Sequence, residues 1–331
     1  MKMLVWLFLA VLALFSLPSF PHEHVEYRPG RGFRIHSLKM TVGGYSTFFY
    51  KSRRDYEEYK LEEISLLLYG DPLSRVRYFL ELELHDVYRK VNGRDRTTRL
   101  VDIERLYVDY EFSEALKLRV GRFITPLGIW NPIHIDVLKW TVSDPAVVAF
   151  FFPNFVTGVQ LFGSPTLETD YALFFQNNRG ISERYNNLLS RRSAGGEIRR
   201  EIGDNLKVAV NGGWFDLEGH GEISFAGANA LFTAPGTEIS GEMMYALERR
   251  DTGVEGRRFS YYLQGVRRIL PGNYAILRYC YYRETAEDRR NRALTIGWNF
   301  RPYYFLSLKA EYQFRERGRL NTFFASVSGM F

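Results

Sequence analysis

The chain has 331 residues, enough for one large domain or two, and carries 44 Lys and Arg against 38 Asp and Glu for a net charge of +6. That excess is spread along the chain rather than gathered into a block or a helix face, which argues against a nucleic-acid partner. Aromatic residues reach 16%, with 22 Tyr and 26 Phe, a load suited to β structure or to membrane-interface girdles, and the single cysteine, Cys280, excludes an internal disulfide framework.

The first twenty residues, MKMLVWLFLAVLALFSLPSF, place one lysine before an apolar run from Met3 to Leu17 and then small and turn-forming residues. This is the plan of a secretory signal peptide over 1–20, with cleavage expected between Ser16 and His24; the run is short for a membrane-spanning helix. Residues 21–37 then form an N-terminal segment on the periplasmic side. Its His22, Glu23 and His24 offer metal ligands, although such a tail is more often simply solvated.

From residue 38 onward the dominant period is two. RVRYFLELEL (75–84) sets Val76, Tyr78, Leu80, Leu82 and Leu84 against Arg75, Arg77, Glu81 and Glu83. Such runs recur near 38–50, 59–70, 75–85, 99–112, 116–123, 156–164, 169–177 and 193–202. They continue near 205–215, 222–233, 237–248, 257–269, 273–284, 291–301, 304–316 and 319–331, which makes sixteen strands. The run 99–112 changes parity between Ile103 and Leu106, as a bulge would require. Turn-like connections (71–74, 113–115, 203–204, 234–236, 271–273) alternate with longer charged ones such as KSRRDYEEY, DVYRKVNGRDRTT and NRGISERYNNLLSRR. Sixteen one-sided strands in a soluble domain would each need a partner sheet, whereas a closed barrel turns every apolar face to lipid and every polar face to water. The expected fold is an all-β transmembrane antiparallel barrel in an outer membrane, over 38–331. Phe331, closing an alternating strand, fits the terminal signal read by barrel-assembly machinery.

GRGFRIHSLKMTVGG (30–44) and VGRFITPLGIWN (120–131), with FVTGVQLFG (155–163) and YYLQGVRRILP (261–271), resemble the phosphate-selective porin group and its relatives. That resemblance implies a sixteen-stranded barrel, often a homotrimer, that passes small solutes. The family's lysine- and arginine-rich constriction has no counterpart in the third long loop here, so phosphate specificity does not carry over.

That loop, 124–155, is too long for a plain connection and too apolar to lie in water. In a porin-like barrel it folds into the lumen with its apolar face on the wall, leaving Asn131, His134, Asp136, Lys139 and Asp144 to meet the solute. A cap outside the pore or a trimer contact is the alternative. Parity turns Arg75, Arg77, Glu81, Glu83, His85, Arg105, Asp109, Glu111, Lys117 and Arg119 inward as pore-lining residues, and places Cys280 on the same side as Arg278. These charges either form a transverse field that favours hydrophilic solutes or pair among themselves and keep the lumen wet. The arginine excess points to a weak anion preference.

The expected function is a porin, a passive diffusion channel for small hydrophilic solutes or ions. A non-conducting barrel serving as a structural or adhesive platform is the alternative. An enzyme is disfavoured, because His85, His134 and His220 come with no G-x-S-x-G or H-E-x-x-H pattern. No motif calls for a cofactor or a metal. Arg53, Arg54, Arg94, Arg96 and Arg99 in the loops suit lipopolysaccharide phosphates, so the expected partners are outer-membrane lipid and solutes.

Overall fold

The computed structural model describes residues 25–331 except 218–220, 250–252, 254 and 317. The expected signal peptide and the histidines at 22 and 24 lie outside the described residues.

Sixteen antiparallel strands form one closed ring. They are β1 (Met40–Arg53), β2 (Tyr56–Leu73), β3 (Val76–Val91), β4 (Leu100–Ser113), β5 (Leu116–Ile124), β6 (Phe155–Thr166), β7 (Thr169–Gln176) and β8 (Ser193–Ile202). The second half comprises β9 (Leu206–Leu217), β10 (Gly221–Ala234), β11 (Thr237–Arg249), β12 (Glu255–Leu270), β13 (Asn273–Glu284), β14 (Arg289–Tyr303), β15 (Leu306–Arg315) and β16 (Thr322–Met330). Each strand pairs with its neighbours in sequence, and β16 closes on β1 from Phe323 opposite Ser52 to Met330 opposite Tyr45. Phe331 completes the seam, exchanging both backbone hydrogen bonds with Gly44 at 2.9 Å. A Cβ on Gly44 would collide with the Phe331 ring and the Ser65 carbonyl oxygen, so the seam requires glycine there. Ahead of the barrel, 25–28 and 32–35 form a small hairpin whose second strand pairs with residues 40–42.

Burial follows parity in the sense opposite to a soluble protein. Val210, Leu263, Ile198, Leu277 and Ile296 are more than half exposed, whereas Ser65, Thr295, Asn299, Ser307 and Ser328 are fully buried. An apolar belt around a polar interior is stable only with lipid outside. A strand of about 12 residues rising about 3.3 Å per residue spans roughly 28 Å at a 45° tilt, enough for the apolar band of such barrels. No helix among the described residues is long and apolar enough to cross a membrane.

Two connections differ from their expected form. KSRRDYEEY, read as a long loop, is strand on both sides of a turn at Arg54 and Asp55, because Tyr50 stands opposite Tyr59 across the hairpin and Arg53 opposite Tyr56 despite the intervening charge. DVYRKVNGRDRTT likewise continues β3 to Val91 before turning back at Asn92 and Gly93. Arg75, expected on the wall, occupies the turn between β2 and β3 and is exposed.

Residues 125–154 link β5 to β6 and contain a 3-10 turn, Asp136–Leu138, and a short α-helix, Ala146–Phe150. Their backbone is tied to side chains of many strands. The amide of Gly128 donates to Glu197 on β8 (2.6 Å), that of Trp130 to Glu242 on β11 (2.8 Å), and those of Val142 and Ser143 to Glu311 on β15 (both 2.9 Å). Arg258 on β12 donates to the Phe150 carbonyl (2.7 Å) and Asn299 on β14 to that of Trp140 (3.0 Å). All these partners belong to the buried face of the ring, so the segment packs within it. Its apolar side forms a core with the same wall, in which Trp130, Val147, Phe151 and Phe152 meet Phe215, Phe225, Met244, Tyr262 and Tyr282.

Candidate functional site

The segment fills the bore on the β9–β14 side and leaves space along β2–β5. A cavity of about 340 Å³ lies between its polar edge and β2–β4. The wall contributes Glu62, Glu63, Glu83, Asp86 and Glu104 with Lys60 and His85; the segment contributes His134, Asp136, Lys139 and Asp144. Seven carboxylates thus face two lysines.

Irregularities in three adjacent strands create this concentration. The pairing of β1 with β2 skips Glu62 between Leu61 and Glu63, so both Glu62 and Glu63 turn inward. Pairing of β2 with β3 passes from Tyr88 to His85, leaving Asp86 at φ 47°. On β4, Ile103 and Arg105 pair with Leu82 and Glu81, so Glu104 is the extra residue of a bulge and both Glu104 and Arg105 point into the bore. A bulge re-aims one side chain against the strict period of two, and here each adds an acidic group at one level of the barrel. The parity change within 99–112 marks the β4 bulge in the sequence, and the passage of the apolar positions from Tyr59 and Leu61 to Ile64, Leu66 and Leu68 marks the one on β2; the irregularity at Asp86 falls in a charged run that shows no such break.

At this level His85 bridges two carboxylates, with Nδ1 2.8 Å from Glu83 and Nε2 3.2 Å from Glu104. The second Glu83 oxygen accepts from Ser65 (3.2 Å) and Tyr45 (3.3 Å). Lys60 pairs with Glu62 (3.0 Å) and Asp86 (3.2 Å), and Lys139 with Asp136 (3.0 Å) and Asp144 (3.3 Å). Both lysines are therefore engaged by carboxylates.

Toward the tight-turn end, a second cavity of about 280 Å³ is bordered by Arg105, Tyr107, Arg119, Asp170, Glu197 and Arg199. Arg105 pairs with Glu81, and Arg119 holds Asp109 through two bonds of 2.7 and 2.9 Å. The guanidinium groups of Arg105 and Arg119 lie over the rings of Phe79 and Tyr107 at 4.4 and 3.8 Å, and those rings stack on each other at 5.3 Å. Glu111 lies 3.6 Å from Arg77 and 3.8 Å from Lys117, and Arg77 keeps 67% of its side chain exposed. Of the wall residues named from parity, nine are thus brought together in a paired ladder along β3–β5, while Arg75 stands apart.

Among the loop residues, His134, Asp136, Lys139 and Asp144 border the acidic cavity. Asn131 borders the same cavity, but it is 7% exposed and its amide donates to the Thr125 carbonyl at 2.7 Å, so it also clamps the base of the segment. Cys280 faces inward as expected, but it is buried against the segment's apolar side.

No family model matches the chain. An uncharacterized protein of Aquifex aeolicus (strain VF5) is 24% identical over 231 residues, which are 65% of this chain and 49% of that protein, so the chain spans about half the length of this relative. Solved structures resemble it far more completely. An anion-selective porin from Comamonas acidovorans superposes with a TM-score of 0.63 at 12% identity, over 88% of this chain and 99% of that one. The outer-membrane channel DcaP of Acinetobacter baumannii gives 0.64 at 10% over 88% and 97%, and OmpF of Salmonella typhi gives 0.62 at 10% over 93% and 100%. At such identities the likeness concerns the fold. With the closed ring and the apolar belt, it defines a porin-like outer-membrane β-barrel. Within that class, the bore is divided into a filled half and a charged half that contains the acidic cavity.

Proposed function

We propose that the protein is a porin through which small hydrophilic solutes diffuse passively along the β2–β5 side of the bore, with residues 125–154 setting the constriction. The observation that carries this reading is the division of the interior: the segment is anchored over β8–β15, while both cavities border β2–β5, the second reaching across to β7 and β8. Ion preference follows the charge around the constriction. Seven carboxylates against two lysines in the upper cavity favour cations, opposite to the anion preference that the arginine count suggests. The chemistry requires no catalysis and no cofactor; the barrel supplies a wet, charged path and excludes large or apolar solutes.

A plugged, non-conducting platform is the second reading, supported by the breadth of the apolar contact between segment and wall. A homotrimer and contacts of the exposed Arg53, Arg54, Arg94, Arg96 and Arg99 with lipopolysaccharide phosphates are compatible with either. Phe331, seated at the seam, is proposed as the residue recognised during barrel assembly.

Single-channel recording of the refolded protein in a planar bilayer, with a salt gradient, separates the two readings. Stepwise openings with a cation-selective reversal potential support the porin; a folded barrel with no openings supports the platform.

A further inference from the structure

We infer that the acidic level of the bore holds a binding site for a divalent transition-metal ion, formed by Glu83 on β3, Glu104 on β4 and His134 on the inward segment. Two buried donor atoms are left without a hydrogen-bond partner there, Oε2 of Glu104 and Nε2 of His134, and they lie 4.0 Å apart. Glu104 is only 2% exposed, so an unpartnered oxygen on it is costly unless a cation completes the arrangement. The same His134 nitrogen is 3.9 Å from Oε2 of Glu83. These gaps are too long for hydrogen bonds. Donors about 2.1 Å from a common ion lie roughly 3.4 Å apart in tetrahedral geometry, so each glutamate oxygen needs to close on the His134 nitrogen by about 0.5 Å.

The surroundings fit a metal centre. His85 contacts the other oxygen of each carboxylate and fixes their orientation, as outer-shell groups do around a bound ion. Glu63 and Asp136 border the same cavity and add negative charge. Arg122 opposes it, donating to the Glu104 carbonyl oxygen at 3.1 Å, and Arg105 is held away by Glu81. One imidazole nitrogen and two carboxylate oxygens suit zinc or manganese better than the all-oxygen sites of calcium. Because His134 belongs to the segment and the two glutamates to the wall, a bound ion joins the segment's polar edge to β3 and β4, on the side opposite its apolar anchorage.

The test is calorimetric titration of Zn²⁺ into the refolded protein after chelator treatment, with His22 and His24 replaced by alanine so that the N-terminal tail cannot contribute. One zinc per chain is expected, and His134→Ala and Glu104→Gln should each weaken binding at least tenfold without altering the thermal melt of the barrel. His134→Gln serves as a second variant should alanine disturb the segment. Absence of saturable binding, or equal affinity in these variants, overturns the site. Binding is read without current, so a barrel that holds zinc and never conducts would overturn the channel reading alone.

Discussion

The two sides of the bore are built from the same kind of strand and do opposite things. On β9–β14 the inward positions include Phe215, Ile223, Phe225, Met244, Ala246, Tyr262 and Tyr282, which are apolar or aromatic and sealed by the segment. On β2–β5 they are Glu63, Glu83, Glu104, Arg105 and Arg119, which line cavities. Strand alternation alone sets only inside against outside. What divides the inside is the choice of inward residue: an apolar half must be covered, and residues 125–154 cover it, whereas a charged half stays wet.

Replacing residues 129–152 by a short Gly-Ser linker should erase the contrast and raise single-channel conductance several-fold; unchanged conductance would show that the segment does not limit passage. Phe151→Ala removes a fully buried ring that meets Tyr282 edge-on. It should cost about 3–5 kcal/mol of segment docking, read as new proteolytic cleavage within 125–154 while the barrel stays intact. Glu311→Leu strands the amides of Val142 and Ser143 and should weaken docking by about 1–3 kcal/mol for each amide left without an acceptor, with the same readout. On the wet side, Glu62→Gln with Glu63→Gln should move the reversal potential away from cation selectivity and leave the melting temperature within a few degrees. Arg77→Ala, at an exposed and loosely paired position, should change stability by under about 0.5 kcal/mol.

Much of the ring was legible in the sequence, because sixteen strands of period two can satisfy all their apolar faces at once only by closing into a ring within lipid, and the parity change near Ile103 pointed to the β4 bulge. The division of the bore was less so. In β10 and β13 both faces carry apolar residues, such as Phe225 inward and Leu277 outward, so parity distinguishes the faces without showing which will be covered. On β2 the apolar positions pass from Tyr59 and Leu61 to Ile64, Leu66 and Leu68, a break that marks the extra residue at Glu62, whereas Asp86 opens what reads as a polar loop. Asn131 was expected to meet the solute because it is polar in an apolar loop; it does border the acidic cavity, while its amide is engaged by the Thr125 carbonyl, a partner that only the fold of the segment brings beside it.

The central claim is that passage follows the β2–β4 wall and avoids the β9–β14 side. The most direct test is to apply a hydrophilic, positively charged thiol reagent during single-channel recording to the Glu63→Cys variant in a Cys280→Ser background and, separately, to the natural chain with its one thiol at Cys280. Stepwise block of the Glu63→Cys channel with no effect on the natural chain is the predicted result. Modification of Cys280 with loss of current, or a Glu63→Cys channel that neither reacts nor blocks, would contradict it.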